Sequence, residues 1–290
     1  MPKRFSTAKG REFGASLRQT IESTGYSSRE LAGVVGWDEA KLSNVVNGRG
    51  GADDVDLALL LGVCRLKAAE RKHLQRLYPT MGEKNWLQQH GICPLAWPRT
   101  LAENLAAADT VTTWNPHGLP ALLQIPGHMS AEITASSTVP DKELDGWIAA
   151  RLELNDQQFQ LRGLTYTFYL HELALALPVG GDEVHVEQLH HMLQMSVRPE
   201  INIRIVPAAL GAHPGMRGPF TRLTFKAHGP LVCIENDTST VFVEDKAAVE
   251  GYGKVVTALS ESSLDCEGSK LLIIDFAERL AAGANGPIAE

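Results

Sequence analysis

Residues 27–50, SSRELAGVVGWDEAKLSNVVNGRG, leave the chain few choices of local structure. Ser27 can accept from a free backbone N–H while Glu30 reaches back, the capping box that starts a helix. Leu31, Val34 and Val35 supply the buried face of that helix, and Gly36 ends it. Asp38 then caps another, DEAKLSNVVNG, with Leu42 and Val45 as its inward residues. Two short helices joined by so tight a turn are held at a steep angle. Their apolar faces need neighbours, and both flanks offer them. Phe13, Leu17 and Ile21 recur every four residues as far as Gly25, and DDVDLALLLGV and KAAERKHLQRLY add a fourth and a fifth helix.

The pattern resembles the Cro/cI-type (XRE) helix-turn-helix, carried here by Leu31-Ala32, Gly36, Leu42-Ser43, Val45 and Asn47-Gly48. That resemblance implies binding of double-stranded DNA, with the second helix lying in the major groove while the first crosses the backbone. The exposed face of the second helix would carry Glu39, Ala40, Lys41, Ser43 and Asn44. Glu39, Ala40 and Asn44 sit where the family reads bases. Asn44 suits adenine, Glu39 a cytosine amino group, and Ala40 a thymine methyl. Backbone contacts fall to Ser28, Arg29, Lys41 and Arg49, with Lys3, Arg4, Lys9 and Arg11 in support. The chain departs from many relatives at Asp38, where they have Ser or Thr, and at Val46, where they have Glu. Asp38 and Glu39 suit a helix start yet would both face a polyanion, which lowers the expected affinity.

Charge divides the chain in the same place. Residues 1–78 hold 13 Lys+Arg against 9 Asp+Glu, and the remainder holds 14 against 25. A basic head on an acidic body fits a nucleic-acid-binding domain fused to a non-binding one. We divide the chain into a helix-turn-helix domain over 1–78, a linker over 79–98 with two tryptophans, and a body over 99–290. No apolar run approaches the roughly 18–20 residues of a membrane span, and the basic start lacks the apolar segment of a secretory signal. Cys64, Cys93, Cys233 and Cys266 are scattered, as reduced structural thiols are. The expected location is the cytoplasm.

The body reads as α+β, with a mainly antiparallel sheet. Helical segments near 98–107, 126–135 and 141–162 precede the β-like runs LTYTFYL, INIRIVP, FTRLTF, LVCIEN and TVFVED. A helix near 182–196 follows the first run, and two more close the chain near 245–262 and 268–281. Five segments make the body similar to the C-terminal domain of the actinobacterial WhiJ-like or antitoxin-like regulators. They are LPALLQIPGHMSAEI, WIAARLELNDQQF, LPVGGDEVHVEQLHHMLQM, INIRIVPAALGAHPGMRGPFTRLTF and IENDTSTVFVED. The resemblance implies transcriptional regulators that are often encoded near small partner proteins. An antitoxin-like protein acting mainly through such a partner is the second reading.

Chemistry is sparse. His185, His190, His191 and Glu187 share one predicted helix, but adjacent His190 and His191 point about 100° apart and cannot share one metal. No HExxH, GxSxG or P-loop pattern is present. The carboxylates Glu235, Asp237, Glu244 and Asp245 read as solvated strand ends. No enzymatic activity, metal or cofactor is expected, and a homodimer is, because paired half-sites multiply affinity. Within GAHPGMRGPF, residues 211–220, three glycines permit unusual backbone angles and two prolines stiffen the chain. The loop serves either to return the chain to the sheet with Phe220 packed inward, or to present His213, Arg217 and Phe220 to an effector or partner.

Overall fold

The computed structural model describes residues 6–90, 99–136, 139–161 and 163–283; Lys3, Arg4 and Cys93 lie outside them. The head is built from five helices: α1 (Ala8–Thr24), α2 (Ser28–Val35), α3 (Glu39–Val46), α4 (Asp54–Val63) and α5 (Ala68–Leu77). Each break has a local cause. Gly25 and Gly36 take left-handed angles (φ 76° and 71°) that stop α1 and α2. Asp53 caps α4 by accepting from the Asp56 N–H. The inward residues Phe13, Leu17, Ile21, Leu31, Val35, Leu42 and Val45 form one core with Leu57, Leu60, Leu61 and Leu74. Val34 differs from expectation: it is 52% exposed. Leu31, Ala32 and Val35 fill the inward face of the short α2, which turns Val34 out beside Leu59 and Tyr26.

The body is a seven-stranded sheet, among the described residues, with helices on both faces. Its strands are β1 (Trp86–Gln89), β2 (Thr110–Asn115), β3 (Thr165–His171), β4 (Ile201–Val206), β5 (Phe220–Thr224), β6 (Leu231–Asn236) and β7 (Ser239–Val243). The order β1-β7-β6-β5-β2-β3-β4 is antiparallel from β1 through β2 and parallel across β2, β3 and β4. Helices α6 (Arg99–Ala106), α7 (Pro126–Ser136), α8 (Asp141–Phe159), α9 (Leu173–Ala176), α10 (Gly181–Met195), α11 (Lys246–Ser262) and α12 (Cys266–Ala281) complete it. Alternation along the strands sorts the two cores. Val111, Tyr166, Phe168, Ile203 and Phe242 pack with residues of α6, α10 and α12. Trp114, Tyr169, Phe220 and Val232 pack with Val249 and Leu259 of α11 on the other face.

Two strands were missing from the sequence reading. β2, TVTTWN, is rich in β-branched residues and is central, pairing with β3 on one side and β5 on the other. β1 comes from the stretch expected as a linker. It pairs with β7, and Trp86 stacks on Phe242 with ring centroids 4.6 Å apart.

The head is fastened to the body through α1. The Arg11 guanidinium is 6% exposed; it donates to Asn104 of α6, to the Ser6 carbonyl at 2.8 Å and to Glu244 at 3.4 Å. Glu12 accepts from Thr100 of α6 at 2.5 Å and sits 2.7 Å from His73 Nε2 on α5. Arg99 grips Glu70 with two hydrogen bonds (3.0 and 2.9 Å) and donates to Ser16 at 2.7 Å. Arg11 and Lys9, expected as phosphate contacts, are therefore committed inside the protein. Lys9 is 8% exposed, bonded to Glu83 at 2.6 Å and set over the Trp86 ring.

Candidate nucleic-acid interface

The α2–α3 unit is assembled by its caps. Ser27 Oγ accepts from the Glu30 N–H at 3.2 Å, and Glu30 Oε2 accepts from the Ser27 N–H at 2.9 Å. The Ser27 hydroxyl also donates to Glu30 Oε2 at 2.7 Å, and this bond, with the one from the Ser27 N–H, holds the Glu30 carboxyl below its ordinary range. At the turn, the Trp37 N–H donates back to the Ala32 carbonyl at 2.8 Å. Asp38 Oδ1 then accepts from the Lys41 N–H at 2.7 Å and starts α3. At the far end Asn47 Nδ2 donates to the Ser43 carbonyl at 2.7 Å. Burial of Leu42 and Val45 fixes the rotation of α3 about its axis. Glu39, Ala40, Ser43 and Asn44, spaced i, i+1, i+4 and i+5, all face outward and are exposed.

Beside this row stand Ser28 and Arg29 at the start of α2, both exposed. Arg29 Nε lies 3.7 Å from Glu39 Oε1 across the turn, an exposed pair that offsets the acidic helix start. Arg49 is exposed beyond the end of α3. Asp38 is exposed but spends one carboxylate oxygen on its cap. Lys41 is turned back from the outer face. Its Nζ bonds to Asp56 Oδ2 on α4 and lies 4.6 Å from the centre of the Trp37 ring, and the contact holds the Asp56 carboxyl low. Seven of the nine expected positions thus share one outward side. Asp38 is half committed, and Lys41 braces α3 against α4.

Sequence reasoning missed how α3 is seated from below. A Cβ on Gly14 would lie 2.5 Å from the Val46 carbonyl oxygen, and Gly48 (φ +62°) lies hard against Gly10. The glycines at 10 and 14 let the exit of α3 rest on the α1 backbone. Arg18 Nη1 of α1 donates to the Val46 carbonyl at 3.2 Å, and the side chain is exposed beside Asn47. The four-residue spacing of the two glycines in α1 was the available signal.

The other singled-out residues separate. Phe220 is a core residue, 5% exposed, in edge-to-face contact with Tyr252 of α11; the sheet takes it in place of a partner. His213 packs against Trp114 and His171, with ring centroids 5.3 and 4.8 Å away. Trp114 Nε1 donates to the Gly215 carbonyl at 2.8 Å. Arg217 is exposed at the tip of the same loop. On α10, His185 is fully buried with Nε2 2.8 Å from the Leu175 carbonyl, whereas His190 and Glu187 are exposed. Among the described residues no group of His, Cys, Asp and Glu is placed to hold a metal ion, and no helix is long and apolar enough to cross a membrane.

Residues 98–275 match the family model described as a domain of unknown function, DUF5753. Residues 12–74 match one described as a helix-turn-helix domain, which supports a DNA-binding regulator. No curated protein matches the chain, and no solved structure does.

Proposed function

The chain belongs to the family defined by the domain of unknown function DUF5753, with a helix-turn-helix domain ahead of it, and on that footing we propose a sequence-specific transcriptional regulator. The observation that carries this reading is the outward row Glu39, Ala40, Ser43 and Asn44 on a helix braced from three sides, by α1, α2 and α4. Bases are read by Asn44, Glu39 and Ala40 in the manner of Cro/cI-type relatives, and phosphates are met by Ser28, Arg29, Arg49 and the exposed Arg18. The protein works in the cytoplasm as a homodimer on paired half-sites. Tyr26, Val34 and Leu59, exposed together on the head, support pairing there.

The body acts by binding rather than by catalysis. His185, the most buried histidine of α10, has its Nε2 committed to a backbone carbonyl. The body receives a signal and passes it to the head through α1. A small protein partner of the WhiJ-like kind would find Arg217 accessible on the loop after β4.

Sequencing DNA recovered with the protein from cells would define the operator. On that operator Asn44→Ala should cost about 1–3 kcal/mol of binding, and much less on a random duplex. Equal losses on both duplexes would remove Asn44 from base reading. Failure to enrich any sequence would end the proposal.

A further inference from the structure

A cavity of about 890 Å³ opens between head and body, directly behind the exit of α3. Its size is that of small-molecule sites. Gly48, Arg49 and Gly50 form the head-side wall; Tyr78, Met81 and Val249, all nearly buried, give it an apolar floor. The Tyr78 hydroxyl is already used, donating to the Ala52 carbonyl at 2.7 Å.

Glu244 also lines the cavity, with its side chain 9% exposed. Its Oε1 accepts from the Ala8 N–H at 2.9 Å and faces Arg11 at 3.4 Å. Its Oε2 is buried and has no hydrogen-bond partner. A buried carboxylate oxygen in that state weakens the fold unless a donor meets it. Three cations, Arg49, Lys84 and Lys246, line the rest against one further acid, Glu250. Arg11 already offsets the charge of Glu244, so the remaining wall is cationic.

We propose that this cavity binds a small organic effector with three features: an apolar body, an N–H or O–H donor for Glu244 Oε2, and an anionic group for the cationic rim. The inference deepens the DNA-binding reading, on which only its consequence rests. An occupant touches Gly48–Gly50, immediately after α3, and so alters how the recognition helix is seated on α1.

The probe is 8-anilinonaphthalene-1-sulfonate, which combines a fused aromatic body, an anilino N–H and a sulfonate, and whose emission reports apolar burial. N-phenyl-1-naphthylamine keeps the body and the N–H and lacks the sulfonate. Gly82 and Gly229 line the cavity, and a Cβ on either meets nothing within 4 Å. Gly82→Trp and Gly229→Trp therefore add bulk at two points of the cavity wall with no clash at the Cβ, and leave Arg11 and Glu244 themselves unchanged. The full-length protein should bind the sulfonate with blue-shifted emission. Affinity should fall roughly tenfold or more in both Trp variants and in Glu244→Gln, and by a similar factor when the sulfonate is absent from the probe. Val34→Ser, on the exposed head patch, should leave binding unchanged. Absence of binding, or undiminished binding in both Trp variants with native melting curves, overturns the site. The failures are separable: a protein that binds the probe but no DNA loses the function and keeps the site.

Discussion

Asn44 and Lys41 lie three residues apart on one helix and have opposite fates, because a side chain's use depends on what else can reach it. Asn44 meets only solvent, whereas Lys41 finds Asp56 and the Trp37 ring on its own domain. Arg49→Ala should therefore reduce the salt dependence of DNA binding by about one phosphate contact. Lys41→Ala should leave that slope unchanged and lower the melting temperature instead. Affinities measured across a salt series decide it, and a reduced slope in Lys41→Ala would return that lysine to the DNA. His128 is a second residue set by its surroundings. It is 2% exposed, and burial, helped by His185, pushes its pKa down to about 4. The unfolded chain then takes up the proton first as pH falls. Stability is complete above about pH 6.5 and declines towards pH 4, by on the order of 2–3 kcal/mol from this group. Denaturant midpoints across that range should fall in the parent protein and fall less in His128→Gln. Parallel slopes would assign the loss to other groups.

Helices and strands here are positioned by glycines at contacts that only the packing reveals. A Cβ on Gly48 would lie 1.9 Å from the Gly10 carbonyl oxygen, at a backbone φ of +62°. Gly48→Ala should cost about 3 kcal/mol or more, because backbone must move against backbone. Gly215 plays the corresponding part in the body. Its φ is +85°, a Cβ would lie 2.5 Å from Trp114 Nε1, and its carbonyl takes that indole N–H. Gly215→Val should lose about 2–4 kcal/mol through clash and a broken buried hydrogen bond, whereas Arg217→Ala should leave the melting temperature unchanged. Thermal melts of the three variants test both contacts. A stable Gly215→Val protein would mean that the loop does not hold Trp114.

The molecule behaves as one unit because α1 belongs to both halves. Its Phe13, Leu17 and Ile21 lie in the head core, while Arg11 and Glu12 bond to α6 and, through Arg11, to Glu244 before α11. Calorimetry should show a single unfolding transition in the parent chain. Arg11→Ala leaves Glu244 buried without its cation, a loss of about 3 kcal/mol or more. It should separate head and body into two transitions. One unshifted transition in that variant would show that other contacts hold the halves together.

The helix-turn-helix was legible because its signals are local. Capping residues, the stopping glycines and a helical apolar period act within four residues of one another, so Ser27, Glu30, Gly36 and Asp38 announce themselves without a fold around them. The strands β3 to β7 and the two closing helices were legible for the same reason. What required the tertiary structure was every assignment that turns on a distant partner. β2 became an interior strand of the sheet through strands more than 50 residues away, and β1 left the expected linker by pairing with β7. Lys9 and Arg11 carry the same charge as any DNA-binding arm, yet Glu83, Asn104 and Glu244 claim them. The cavity behind α3 has walls drawn from five separate stretches of chain. A sequence states which groups carry charge, apolar surface or a turn; only folding decides which of them remain unspent, because that depends on what the rest of the chain brings within a few ångströms.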